Sequence, residues 1–308
     1  MKTTIIVGGK GFLGSHVCQR FAELGWQVIS VGRGNLNPYA SVHYNMQLPN
    51  DGFSDLIKQS NPELIVNCAG RASVALSMED PLGDFYANTA LVITLLDAIR
   101  KFGSDCVFIS FSSASVYGNP IALPIKENTP IKPVSSYGYH KYMEELAILE
   151  YASLHQIRSA TLRIFSAYGE RLRRQVIWDL TSKIITSNGK PVKVLGTGDE
   201  SRDFIHGEDV ARAVEIVSSK GELKGEIYNL ASGQEISIKQ LATKIIELSN
   251  KNSQLCFDGL PPSGYALRWC ADISKIQELG FCQSVSLDEG LNRVICEAKI
   301  KNHPMLLN

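Results

Sequence analysis

The sequence has no C-x-x-C pair, no surplus of charge of either sign and no internal repeat or low-complexity linker. Its seven cysteines are scattered and odd in number, and the six histidines stand at no ligand spacing. That pattern speaks against a zinc site or a disulfide framework and for reduced thiols in a cytoplasmic protein. Lys+Arg and Asp+Glu are 31 each, so no global field draws the chain to nucleic acid or to an anionic membrane. An anionic small ligand would be held by local arginines or by helix ends. The apolar stretch near the N-terminus is too short for a signal peptide, and no run reads as long enough to span a bilayer. At 308 residues the chain has room for one large domain or two modest ones.

A further absence is local. No Asp or Glu occurs between Glu23 and Asp51. Just before this gap the chain reads as a β-branched strand, Thr3 to Val7, then Gly8-Gly9-Lys10-Gly11-Phe12-Leu13-Gly14, a helix from Ser15 to Leu24, and a second strand from Gln27 to Val31. A glycine turn between a strand and a helix is the dinucleotide-binding fingerprint in its required setting. Gly8, Gly11 and Gly14, with Phe12 and Leu13 between them, let the backbone turn tightly and approach a pyrophosphate. An acidic residue at the end of the second strand would bind the ribose hydroxyls of NAD. Here the strand ends Val31-Gly32-Arg33-Gly34, and Arg33 offers a cation where a 2′-phosphate would lie. NADP(H) is therefore favoured, with NAD possible.

Strands and helices then alternate. Leu64 to Asn67 runs into Cys68-Ala69-Gly70, and Asp84 to Arg100 has helical periodicity. Val107 to Phe111 delivers Ser112 and Ser113 at its carboxyl end, the end at which ligands bind in a doubly wound sheet. Ser135 or Ser136 caps a helix running to about His155, and Arg158 to Ile164 is a further strand. Tyr137 and Lys141 are four apart and share one helix face. A lysine ammonium beside a phenol eases its ionisation, and a hydroxyl from Ser113 alongside would complete a site that moves a proton at an oxygen. A surface helix carrying Tyr and Lys by accident would show the same two residues, so the motif needs its context. Beyond residue 165 the rhythm loosens. A basic run, Arg171 to Arg174, precedes a helix through Ile185, Gly196 to Phe204 reads as a polar loop, and Ile227 to Leu230 as a strand returning to the main sheet.

In family order and spacing, the glycine turn, Asn67-Cys68-Ala69-Gly70, Phe111 to Gly118, Tyr137-x-x-x-Lys141, Leu162 to Gly169 and Gly196 to His206 resemble the extended short-chain dehydrogenase/reductases that modify nucleotide sugars, the NAD-dependent epimerase/dehydratase family. The resemblance runs from Thr3 to about Val294. It implies an α/β fold, a Rossmann-type doubly wound parallel sheet with a smaller C-terminal α/β substrate-binding lobe, divided as 1–165 and mainly 166–308. It implies Ser113, Tyr137 and Lys141 as the catalytic set, with Tyr137 the general acid/base and Lys141 holding the nicotinamide ribose. Ala69 and Asn88 match family positions near the cofactor, Asn88 with a structural role equally open. Ser113, Ser166, Arg174, Arg202 and Arg268, with residues around Tyr265, are candidates for the substrate. Family members commonly pair through the helices that carry Asn88 and Tyr137, so a homodimer is expected.

The departures narrow the chemistry. Nucleotide-sugar 4,6-dehydratases carry an Asp-Glu pair after the active Thr; here those positions are Ala114 and Ser115, so elimination of water lacks its acid and base. Ser166 stands where the family often has Asn, and the usual Arg near Pro262 is missing. The sequence thus favours an NADPH-dependent reductase of a nucleoside-diphosphate 4-keto-6-deoxyhexose, in deoxysugar and polysaccharide synthesis, over a 4-epimerase that retains NAD. A non-enzymatic cofactor-sensing regulator is the minor alternative, disfavoured because a sensor has no need of the Ser113, Tyr137 and Lys141 set.

Overall fold

Seven parallel strands form the central sheet, its inner strands buried where β-branched and aliphatic residues run together and its edge strand Val42–Asn45 largely exposed. The computed structural model describes residues 1–34, 37–50, 52–103, 105–260 and 267–302. In chain order the first half is β1 (Thr3–Val7), α1 (Phe12–Glu23), β2 (Gln27–Gly32), β3 (Val42–Asn45), α2 (Gly52–Ser60), β4 (Leu64–Asn67), α3 (Val74–Glu79), α4 (Pro81–Phe85), α5 (Leu91–Phe102), β5 (Val107–Ser113), α6 (Ser136–His155) and β6 (Ser159–Ile164). Then follow β7 (Ser166–Tyr168), α7 (Gln175–Thr186), β8 (Val192–Val194), β9 (Ser201–His206), α8 (Gly207–Lys220), β10 (Lys224–Leu230), β11 (Glu235–Ser237), α9 (Ile238–Ser249), β12 (Leu255–Phe257), α10 (Ser274–Glu278) and α11 (Leu287–Asn302).

The main sheet has the order β10-β6-β5-β4-β1-β2-β3. It is a Rossmann-type fold, and the strand order reverses at β1, which β2 and β4 flank. The carboxyl edge at that reversal is where a ligand fits in an open α/β sheet. One apolar cluster packs α1 and α8 on one face, and another packs α2 and α5 on the other. A third cluster, built from α7, α9 and α11 with β8 and β9, lies beyond residue 165. The strand read at Ile227 to Leu230 is longer, Lys224–Leu230, and joins the edge of the main sheet beside β6 in parallel.

Two expectations need correction. The stretch from Gly196 to Phe204 is a loop only in part, because Ser201–His206 is a strand with β7 and β11 on either side. Its polar residues hid it: Asp203 is buried and accepts from Ser232 N, Gly233 N and Ala271 N, so its inward position looks like a loop residue in the sequence. Nor does the chain lack a run of membrane-spanning length. Pro81–Phe102 is one helical stretch of 22 residues, within which an 18-residue window has a mean hydropathy of 1.3 and is half buried in the protein. Its apolar face, with Leu91, Val92, Leu95, Leu96 and Ile99, fills the core against the sheet.

Candidate active site

The glycine turn is built by contacts that leave no room for side chains. Gly8 has φ +76°, and a Cβ there would fall 2.8 Å from Ala69 N. One at Gly14 would fall 2.2 Å from Gly8 O. The first turn of α1 therefore sits directly on the end of β1, and the loop after β4 lies against it. Gly11 opens the helix with no side-chain cap, and the first turn carries no acidic residue. By contrast α6 and α9 are capped by Ser135 and Ser237. Uncapped N–H groups at the positive end of a helix dipole suit a pyrophosphate. The residues present thus fit a dinucleotide: Gly8 to Gly14 for the phosphates, and Ala69 at the turn's back.

At the end of β2 Arg33 is exposed. The structure adds a second cation that the sequence reading passed over. Lys10, inside the glycine turn, reaches across so that a Cβ on Gly34 would meet its Nζ at 2.6 Å. Lysine at the variable position between glycines was the signal. His43 and Asn45 of β3 close the same corner, binding Gly34 O and Gly34 N.

Ser113 ends β5 and begins a short 3-10 turn, Ala114–Tyr117, with its Oγ accepting from Ser115 N at 3.2 Å. α6 approaches this turn closely, since a Cβ at Gly138 would fall 2.6 Å from Ser115 O. The helix is fixed at its start by the Ser135 cap and by Tyr137 N donating to Ser77 Oγ at 3.0 Å. Tyr137, Lys141 and Ser113 are all buried. Lys141 Nζ lies 5.9 Å from the Tyr137 ring centre and donates to Phe111 O and to Glu144 Oε2, both at 3.0 Å. Burial pushes the Tyr137 phenol above its ordinary value, while the Lys141 charge and a hydrogen bond from Ser113 pull it down. For Lys141 burial works the other way, and Glu144, Tyr137 and Asp84 together outweigh it and raise the ammonium's pKa.

Asn88 lies in a π-helical turn, Tyr86–Ala90, between α4 and α5. Its side-chain amide pins the loop after β4, with Oδ1 accepting from Arg71 N at 3.0 Å and Nδ2 donating to Arg71 O at 3.2 Å. A Cβ on Gly70 would stand 2.5 Å from that Oδ1 and 3.6 Å from Lys141 Nζ, so Asn88 holds the loop beside the lysine. Below the set, Glu145 receives Ser112 Oγ at 2.6 Å and Arg163 at 2.8 and 2.7 Å, and Arg163 also donates to Tyr117 Oη.

The substrate-side candidates are spread. Ser166 begins β7 at the carboxyl end of β6. Arg202 donates to the carbonyls of Ser201 and Leu267 and stacks over Trp269. Arg268 is engaged by both oxygens of Glu235 at 2.8 Å. Ser201 bridges to Arg268, so these two arginines share one corner. That corner reaches the loop after the Ser113 turn, through Leu267 N to Asn119 Oδ1 and Trp269 Nε1 to Gly118 O. Of the basic run, Arg171 donates to Ser15, Gln19 and Tyr39, tying α1 to the later half, and Arg173 pairs with Glu297. Arg174 is exposed at the start of α7 beside a small cavity lined by Leu172, Ile177 and Phe204. Pro262 and Tyr265 lie outside the described residues.

A family model described as the NAD dependent epimerase/dehydratase family matches residues 4–231. The chain belongs to that family. A relative described as a putative UDP-glucose 4-epimerase from Methanocaldococcus jannaschii is 32% identical over 308 residues, covering 97% of this chain and 99% of the relative. Among solved structures, the UDP-glucose 4-epimerase of Thermotoga maritima with UDP-glucose is 28% identical, with a TM-score of 0.89 over 97% of this chain and 99% of that one. The structure of MoeE5 in complex with UDP-glucose and NAD is 25% identical, with a TM-score of 0.88 and the same coverage. The protein is thus a nucleotide-sugar-modifying enzyme of the extended short-chain dehydrogenase/reductase type that works with a nicotinamide cofactor.

Proposed function

We propose that this protein is a nucleoside-diphosphate-sugar 4-epimerase. The observation that carries this reading is similarity along nearly the whole chain to proteins described as UDP-glucose 4-epimerases, in a site with no carboxylate at Ala114 or Ser115. It moves the epimerase, second in the reading of the sequence alone, ahead of the 4-ketoreductase. A bound nicotinamide supplies a reversible hydride acceptor. Gly8 to Gly14 would hold its phosphates, and Lys141 its ribose. Tyr137 takes the proton from the sugar's C4 hydroxyl and returns it, while Ser113 holds that oxygen. With a nicotinamide bound as hydride acceptor and donor, inversion at C4 would follow if the 4-keto sugar turned its other face, Tyr137 and Ser113 serving the same oxygen in both directions. Arg202 and the segment around Trp269 grip the nucleotide diphosphate, which orients the reacting carbon.

The exposed apolar side chains of α6, Tyr139, Met143, Leu146 and Leu149, continue onto Met78, Leu82, Tyr86 and Ile93, and this face pairs two copies of the chain. A second reading, the NADPH-dependent 4-ketoreductase, keeps support from Lys10 and Arg33, two cations in a corner where an NAD-preferring site would offer a carboxylate. The two are separated by incubating the purified protein with UDP-glucose and catalytic NAD or NADP and following the anomeric proton by NMR. An approach to a mixture of UDP-glucose and UDP-galactose supports the epimerase. No epimerisation, with stoichiometric NADPH consumption on a nucleoside-diphosphate 4-keto-6-deoxyhexose, supports the reductase.

A further inference from the structure

Glu144 stands three residues past Lys141 on the inner face of α6 and is 1% exposed. Its Oε2 accepts from Lys141 Nζ at 3.0 Å, while its Oε1 is buried without a hydrogen-bond partner. The neighbouring carboxyls are committed elsewhere. Glu145 on the same helix is held by Ser112 and Arg163, from β5 and β6. Asp84, on α4, binds His140 Nδ1 at 2.7 Å through Oδ2 and, like Glu144, keeps a buried oxygen without a partner, but its bond is to His140 and not to Lys141. A buried carboxylate with one open oxygen, bonded only to the ammonium that serves the tyrosine, is an expensive arrangement for packing alone.

Its electrostatic effect is specific. An ionised Glu144 cancels much of the field by which Lys141 favours a phenolate on Tyr137. If Tyr137 lost its proton to solvent, the buried trio of Tyr137, Lys141 and Glu144 would carry a net negative charge. If the proton is instead kept on Glu144, the trio stays neutral before and after.

We propose that Glu144 is a positioning residue for Lys141 and the store for the proton that Tyr137 gives up. The phenol O–H bond breaks, an O–H bond forms on the Glu144 carboxyl, Lys141 remains an ammonium, and no group is oxidised or reduced. The phenolate so formed is the base that the proposed alcohol oxidation requires, so this inference rests on the reading of Tyr137 given above. Burial pushes the Glu144 carboxyl up to about 7, with Lys141 opposing and Glu145 and Asp84 adding to the rise. That brings it closer to the phenol, whose own value burial also raises. Two acids sharing one cation titrate as a pair, and the first proton to leave belongs to both.

The test is Glu144→Gln, which keeps the shape and removes the titration. In wild type, the acid limb of kcat/KM for UDP-galactose to UDP-glucose falls near neutral, where the pair first loses a proton. In Glu144→Gln the phenol titrates alone, and the limb moves alkaline by about one pH unit or more, the coupling at which two groups act as a pair. The tyrosinate absorbance of Tyr137, taken against Tyr137→Phe in the same background, moves the other way. Its main step comes at lower pH in Glu144→Gln than in wild type, because Lys141 is no longer neutralised. A limb and a tyrosinate midpoint that stay in place overturn the proposal. A Tyr137→Phe protein that turns over at close to the wild-type rate overturns the Tyr137 reading instead. Should Glu144→Gln not fold, carboxyl NMR of wild type labelled in glutamate decides: a carboxyl titrating near neutral supports the store, and all titrating in the ordinary acid range overturns it.

Discussion

Replacing Tyr137 by Phe removes one hydroxyl from a buried position and leaves the ring, the helix and the glycine turn in place. In the proposed chemistry the phenol acts at the sugar oxygen, while Gly8 to Gly14 and Lys141 would carry the cofactor. Tyr137→Phe is therefore expected to lower kcat by about 10²–10⁴-fold, the usual worth of a positioned acid or base. Nicotinamide cofactor affinity, measured by fluorescence titration, should stay close to wild type. Loss of both together would make Tyr137 a structural residue. At the same scale the three carboxyls around α6 divide by partner. Glu145 has an arginine, Asp84 has a histidine and Glu144 has the active-site lysine, which is why the proposed proton store is the last.

At the scale of the element, α1 and α6 do the placing. α1 starts on the end of β1 because Gly14 lets its first turn touch Gly8 O, where a Cβ would come within 2.2 Å. Backbone lines that gap, so it cannot yield cheaply. Gly14→Ala is expected to push α1 off the turn, costing about 1–3 kcal/mol of stability by overpacking and most of the cofactor affinity. Urea denaturation and nicotinamide titration on one preparation check both, and unchanged affinity would show that the turn does not grip the phosphates. For α6 the corresponding device is Gly138 against Ser115 O, which brings Tyr137 to the Ser113 turn.

Across the whole molecule, the sheet's carboxyl edge collects the glycine turn, the loop after β4, Ser113 and Ser166. The later half folds over that edge through Arg171 to α1 and through Trp269 to Gly118. The outer face of α6 is left with exposed leucines and aromatics, which a second copy would cover. Leu146→Glu sets a charge in the middle of that face without touching the buried side. It is expected to halve the mass measured by light scattering while leaving the circular dichroism unchanged. An unchanged mass would place the interface elsewhere or leave the chain a monomer.

The order of motifs along the chain determined the fold class and the pairing of Ser113 with Tyr137 and Lys141. Glycines, β-branched strands and the four-residue spacing act locally, and local patterns survive in a linear reading. What stayed hidden depended on distant residues. Ser201–His206 is a strand because Asp203 finds buried N–H partners at 232, 233 and 271, which no local periodicity records. Arg171 and Arg268, plausible phosphate ligands by charge, are taken by Ser15, Gln19 and Glu235. Lys10 turned from a loop residue into the neighbour of Gly34 only when the turn closed on β2. The sequence by itself determined that Ser113, Tyr137 and Lys141 stand in the pattern that the proposed work at a sugar oxygen requires, because that pattern is one of residue types at fixed spacing. Only the tertiary structure decided which charges those groups feel, because the field at Tyr137 is the sum over a buried lysine and the carboxylate folded against it.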